Sequence, residues 1–527
     1  MCSLKTSVTI NLNSSMILFT KLKRISILPG YALCIMAFIL FAAFTGIPNK
    51  VKKHSGSDYY KNKEAKILSD SLDVLLSQIR QSFGGEGLDL TLGVVKDGHV
   101  FLKKNYGYAN QETKTLFSDR TQLYIASTSK SLTGTLAAVL DRKGIIRLDH
   151  TLADYLPELT FDDPNIHPDK ITISSLITHT HGIKNNDAVV WTAFIGIKSN
   201  DQLMAMLKKR STALPNQNFY YSNLGSVIYS MVLIKQLGKP WQQVMNEQLF
   251  QPLGMHHTTA YVSKVNSRYI SYIIDGSEGR QRSVFDKADN SMSAAGGHLT
   301  TVNDMLKYLQ FFITEGQSVP GVLNREDVLM ASSAIVPQKS SYQSYERFGY
   351  GLGWEQSLFN GEQLVSRMGG YSGISSHLSY MKAHKIGIVV LSNKKGMEVL
   401  THLVANYIYN TMLNKENKYS MLKENLSSLQ KYVQSDAQET KEVTAAIDKK
   451  ATIDKKLCGI YDGGEKSGMM EITSTGEVIW GNLKGPLHML SDSTGLINFR
   501  TMIRSFSVKK ENGAIAGVYS NDRYFKR

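Results

Sequence analysis

Ser127-Thr128-Ser129-Lys130 opens a stretch in which Leu132, Leu136, Val139 and Leu140 recur at helical spacing. If Ser127 starts that helix, Lys130 lies three residues on and on the same face, so its amine can approach the serine hydroxyl. A serine hydroxyl is a poor nucleophile until a neighbouring base takes its proton. A partly buried lysine, its pKa lowered, can do so. The helix N-terminus favours the negative charge that develops nearby. Alone, Ser-x-x-Lys describes equally well a capped helix carrying a surface lysine, so the rest of the chain has to decide.

Two further segments supply complementary groups. Phe219-Tyr220-Tyr221-Ser222-Asn223 presents a phenol and an amide two residues apart, a proton-transfer group and a carbonyl-polarising donor. The same residues also suit a packed tyrosine and a helix-capping asparagine. Val365-Ser366-Arg367-Met368-Gly369-Gly370 reads as a strand ending in glycines, with a cation just before them. Glycine lets a substrate backbone lie against a strand edge, and the cation can hold a carboxylate.

In this order, the three segments resemble the penicillin-binding-protein and β-lactamase superfamily of active-site serine enzymes. The closest likeness is to its class C β-lactamase, D-alanyl-D-alanine carboxypeptidase, D-aminopeptidase and EstB-type esterase branch. Other segments in family-like order include Lys96-Asp97-Gly98, Thr178-His179-Thr180-His181-Gly182, Ala295-Gly296-Gly297-His298 and Tyr350-Gly351-Leu352-Gly353-Trp354. The likeness covers residues 67–412. It implies that Ser127 is the acylated nucleophile, Lys130 its base and Tyr221 a proton shuttle, with Asn223, Arg367 and Gly369 contacting substrate. The backbone N–H groups of Ser127 and Gly370 would form the oxyanion hole. No cofactor and no metal is implied; His179-x-His181 is read as a packing or loop feature.

The departures matter. Arg367 stands where relatives usually carry Lys or His, and Met368 where β-lactamases carry a hydroxyl residue. Arginine keeps the charge but cannot act as acid or base, and methionine loses a hydrogen bond to a substrate carboxylate. The expected activity is therefore hydrolysis of an ester or a D-amino-acid-containing, peptidoglycan-related peptide, with weak or no β-lactam hydrolysis. The alternative is an inactive muropeptide-binding protein that retains the pocket.

These residues need a scaffold. Apolar periodicity predicts helices over Ala65–Phe83, Ser131–Lys143, Leu224–Leu237 and Val399–Met412. Alternation about Asp97-Gly98 predicts a hairpin, and strands are predicted at Gln363–Arg367, Ser376–Met381 and Ile386–Leu391. Strands at both ends with helices between imply an α/β fold: one antiparallel sheet flanked by helices, closed by N- and C-terminal segments, beside an α-helical subdomain. Residues 413–456 read as a charged, partly helical linker. Residues 457–527 read as a small all-β domain, resembling the lipocalin-like domain that follows this catalytic domain in several relatives.

At 527 residues, with 42% hydrophobic and 20% charged residues, the chain is globular and exceeds one ordinary core. Its net charge of +15 suggests nucleic acid, but residues 1–66 carry eight of those charges, flanking an uncharged run from Ile25 to Asn49. That pattern predicts an export signal or membrane anchor over residues 1–50, a linker over 51–66, and a periplasmic or cell-surface location. The expected partners are a small-molecule or peptide substrate and the membrane, not nucleic acid. Of three cysteines only Cys458 lies beyond this segment, so no disulfide framework is expected there.

Overall fold

The computed structural model describes residues 58–527, apart from 84–87, 197–198, 217, 276–281, 285–286, 322, 372, 396, 398, 448–452 and 500–502. The Ile25–Asn49 segment lies outside the described residues.

A nine-stranded antiparallel sheet forms the centre. Its strands, in chain order, are β1 (Tyr59–Tyr60), β2 (Leu90–Lys96), β3 (His99–Tyr106), β4 (Val336–Tyr342), β5 (Tyr345–Tyr350), β6 (Glu355–Phe359), β7 (Glu362–Tyr371), β8 (Ile374–Met381) and β9 (Ile386–Ser392). Across the sheet they run β1-β3-β2-β9-β8-β7-β6-β5-β4. The β2–β3 hairpin turns at Asp97 and Gly98, both with positive φ (51° and 77°), as a tight two-residue hairpin turn requires. Val94 of β2 pairs with Ile388 of β9, so the two ends of the domain meet at mid-sheet. The helices and loops between β3 and β4 form the subdomain that the sequence suggested.

Alternation along β9 builds a core on each face. Ile386, Ile388 and Val390 join Leu90, Leu92 and Val94 against the amphipathic helix α1 (Lys63–Ser82). Val389 and Leu391 face the opposite cluster, which contains α2 (Ser129–Arg142), α3 (Leu224–Leu237) and α4 (Val302–Ile313). The α1 helix starts where Asn62 accepts a hydrogen bond from the Ala65 N–H, an N-cap. Four strands extend the sheet beyond those expected: β1, inside the stretch read as a linker and paired with β3, and β4, β5 and β6 at the opposite edge. β4 is an edge strand with alternating partly exposed residues and a proline, so it lacks the apolar run that marks a central strand.

After α5 (Leu400–Met412), residues 418–447 form one 30-residue helix, α6. Leu429 is buried, and Leu422, Leu426 and Val433 pack beside it against the α1–α5 side of the sheet. The charged composition of this stretch is that of the helix's outer face.

The last segment is a closed eight-stranded barrel. Its strands are β10 (Gly459–Asp462), β11 (Met469–Ile472), β12 (Glu477–Trp480), β13 (Leu483–Met489), β14 (Thr494–Asn498), β15 (Ile503–Glu511), β16 (Ala514–Ser520) and β17 (Arg523–Lys526). Tyr461, Met470, Val478, Trp480, Ile497, Phe506, Val518 and Phe525 are buried, as alternate inward positions of a small barrel must be. The barrel rests on residues 187–196: the Asn482 N–H donates to the Ile195 carbonyl (2.7 Å) and Arg523 pairs with Asp187 (3.0 Å).

Candidate active site

Ser127 lies in a single 3-10 turn, Ala126–Thr128, that runs directly into α2. Ala126 has a φ of 46°, a conformation that side chains other than glycine rarely adopt. This bend holds Ser127 partly exposed while every other residue from 121 to 130 is buried. Strain of this kind persists only where surrounding contacts enforce it. Here the Ser376 hydroxyl donates to the Ile125 carbonyl (2.8 Å) and contacts the Thr128 hydroxyl (2.8 Å), fastening β8 to the turn.

Three groups converge on the serine, one from its own helix and two from distant segments. Lys130 Nζ is 3.3 Å from Ser127 Oγ and donates to Asn223 Oδ1 (2.7 Å) and to the Ala295 carbonyl (2.8 Å). The Tyr221 hydroxyl lies 3.0 Å from the same Oγ. Arg367, on β7, donates from Nε to the Ser127 carbonyl (2.9 Å) and from Nη2 to the Tyr221 hydroxyl. Its other contacts are the Tyr350 hydroxyl (3.2 Å) and Glu355 Oε1 (3.3 Å).

The electrostatics suit proton transfer. Lys130 is 2% exposed, and burial, helped by the Arg367 charge, lowers its pKa to about 8 despite the opposing pull of Tyr221. Burial alone would raise the Tyr221 phenol. The charges of Arg367 and Lys130 and the hydrogen bond to Ser127 outweigh it and bring the phenol to about 8. Both groups are thus poised where a proton can be exchanged near neutral pH.

The remaining expected residues fall as follows. Gly369 packs under the serine turn: a Cβ there would stand 2.2 Å from the Ile125 carbonyl and 2.8 Å from the Thr128 nitrogen, forcing the strand away. Gly370 is exposed, with nothing within 4 Å of where its Cβ would be. Met368 turns to the other face and packs on the α1–α5 core. The two histidines diverge. His179 is buried against the rings of Tyr221 and Tyr350, with Nε2 3.1 Å from the Tyr350 hydroxyl. His181 accepts the Ile183 N–H on Nδ1 (3.1 Å). Burial lowers the pKa of both, His179 further through the charges of Lys130 and Arg367.

The Beta-lactamase family model matches residues 84–408, more than half of the chain. The protein belongs to the beta-lactamase family. Among its relatives is "Protein flp" of Staphylococcus aureus (strain MW2), 25% identical over 335 residues, covering 62% of this chain and 63% of that one. The match therefore spans just under two thirds of the flp protein's length. A beta-lactamase of Providencia stuartii is 26% identical over 324 residues, covering 55% of this chain and 78% of its own. The octameric penicillin-binding protein homologue from Pyrococcus abyssi superposes with a TM-score of 0.57 at 20% identity, covering 87% of this chain and all of that one. A class C beta-lactamase superposes at 0.51 and 23%, covering 64% and 94%. Both share the fold, a sheet with helices as in β-lactamases. The Pyrococcus likeness reaches past the serine-bearing domain.

The geometry of this beta-lactamase-family site adds residues that pattern reading missed. Tyr350 lay in a family-like segment with no role assigned to it, and Glu355 follows that segment directly. The Ala295 carbonyl, an acceptor for Lys130, sits in another. Such supporting contacts are not legible from spacing: Lys130 and Ala295 lie 165 residues apart, and Arg367 meets Tyr350 and Glu355 only once their strands fold back on one another.

Proposed function

We propose that this protein is a hydrolase that acylates Ser127 with an ester or a D-amino-acid-containing, peptidoglycan-related peptide, and that it hydrolyses β-lactams weakly or not at all. The carrying observation is the convergence of Lys130 Nζ and the Tyr221 hydroxyl on Ser127 Oγ. In the first step Oγ bonds to the substrate carbonyl carbon as its proton passes to the Lys130–Tyr221 pair. The carbon's bond to the leaving oxygen or nitrogen then breaks, and the leaving group departs with that proton. Water repeats the sequence on the acyl-enzyme and releases the acid. The backbone N–H groups of Ser127 and Gly370 would receive the carbonyl oxygen, and Asn223 would orient the acyl donor.

The Arg367–Met368 pair supports the limit on β-lactams, since neither side chain offers the substrate the contacts a Lys–Thr pair would. The basic flank and uncharged run Ile25–Asn49 support action outside the cytoplasmic membrane.

Intact-protein mass spectrometry of residues 51–527 after exposure to a fluorophosphonate, and separately to a penicillin, tests this reading. A single adduct with the fluorophosphonate, absent in Ser127→Ala, is expected. No adduct with either probe would leave a binding protein that keeps the pocket without turnover.

A further inference from the structure

Arg367 has little hydrogen-bonding capacity left to offer a substrate. At least four of its five N–H groups end on the protein: on the Ser127 carbonyl, the Tyr221 and Tyr350 hydroxyls and Glu355. The residue is 2% exposed. The group that draws it inward is Glu355, itself buried, whose second oxygen pairs with Arg347 Nη2 at 2.6 Å. A second arm runs through Tyr350. His179 Nδ1 faces the Ser222 N–H (3.4 Å), so the neutral ring carries its proton on Nε2 and donates to the Tyr350 hydroxyl, the same oxygen that Arg367 Nη1 reaches.

Among the described residues, Lys130 and Lys287 are also committed. Lys130 donates to Asn223 and to the Ala295 carbonyl. Lys287 lies 3.5 Å from the ring centroid of Tyr371, which follows Gly370 on β7, and donates to the Ala193 carbonyl (3.0 Å). Two positive charges, Lys130 and Arg367, thus stand beside the nucleophile, and both serve Ser127 and Tyr221.

We propose that Glu355 is a specificity-determining residue. By holding the Arg367 charge on the protein side, it removes the cation that would receive a substrate carboxylate, and so selects acyl donors with no carboxylate beside the scissile bond. This rests on the reading that Ser127 is acylated, and it narrows the substrate to neutral esters and to peptide bonds without an adjacent free C-terminus. A carboxylate brought to this site would find the guanidinium occupied and would forgo the charged hydrogen bonds it could otherwise accept, a penalty that discriminates.

The test compares kcat/KM for N-benzoyl-D-alanyl glycolate, whose leaving group carries a carboxylate, with that for the glycolamide, which differs only in its neutral amide. The wild type is expected to favour the glycolamide by about tenfold or more, the scale of one charged hydrogen bond. Glu355→Gln is expected to move that ratio about tenfold towards the glycolate, while Glu355→Asp restores the preference. Tyr350→Phe, which loosens the other arm, is expected to move it less and in the same direction. A wild type that prefers the glycolate would overturn the inference without any variant. So would a Glu355→Gln enzyme that loses equally on both substrates, which is what a merely structural role predicts. If Ser127 is still labelled by the fluorophosphonate in that case, the acyl-enzyme reading stands and only the specificity inference falls.

Discussion

Lys104 and Lys130 are equally hidden, each 2% exposed, yet they sit in opposite electrical surroundings. Lys104, on β3 towards the edge of the sheet, donates to Asp73 Oδ1 (2.5 Å) and the Ser69 hydroxyl (2.8 Å), with Asp58 3.9 Å away. Lys130 meets an amide oxygen, a backbone carbonyl and a hydroxyl, with no carboxylate among them, and burial outweighs the pull of the Tyr221 phenol, helped by the like charge of Arg367. Burial by itself therefore does not make a lysine a base. The missing counter-ion does, because a buried ammonium with only neutral acceptors gives up its proton far more readily than one beside a carboxylate.

Substitution by methionine at each site should separate the two roles. Lys130→Met is expected to lower kcat/KM on a neutral ester by about a thousandfold or more, with a melting temperature unchanged or raised, since an unpaired buried charge has been removed. A variant retaining a tenth of wild-type turnover would show that Tyr221 suffices as base. The pH profile sharpens the same point. A base works deprotonated, so kcat/KM should fall about tenfold per unit as pH drops below about 8, where Lys130 and Tyr221 hold their proton, and level off above it. A flat profile from pH 6 to 9 would contradict the assignment. Lys104→Met should show the smallest kinetic effect, with turnover per folded molecule unchanged. Stability measured by urea unfolding should drop by about 1–3 kcal/mol, towards the lower end because Asp73 is partly exposed and can return to water.

What the sequence disclosed follows from how local each signal is. The serine helix, the Asp97-Gly98 hairpin, α3 and the strands around Arg367 were legible because a few consecutive residues carry the pattern. Ser127, Lys130, Tyr221 and Asn223 were named in advance and meet within hydrogen-bonding distance. Arg367 was foreseen as a cation at the strand end, but its partners were not. The pull of Glu355 on it exists only once β6 and β7 lie side by side. Strands β4 to β6 lack a continuous apolar alternation, since much of that edge faces solvent. In residues 418–447 the helical spacing of Leu422, Leu426, Leu429 and Val433 was legible, but the polar outer face marked the stretch as a linker, not as a helix whose stripe presses on the core.

The pairing of Val94 with Ile388 has a consequence for the order of events during synthesis. Contacts that close a loop of nearly three hundred residues form late, and slow folding follows from such topology. The turn bearing Ser127 leaves the ribosome some 240 residues before Arg367, whose side chain grips the Ser127 carbonyl and the Tyr221 hydroxyl. A nascent chain therefore carries its nucleophile through 240 residues of synthesis before the residue that arms it is added.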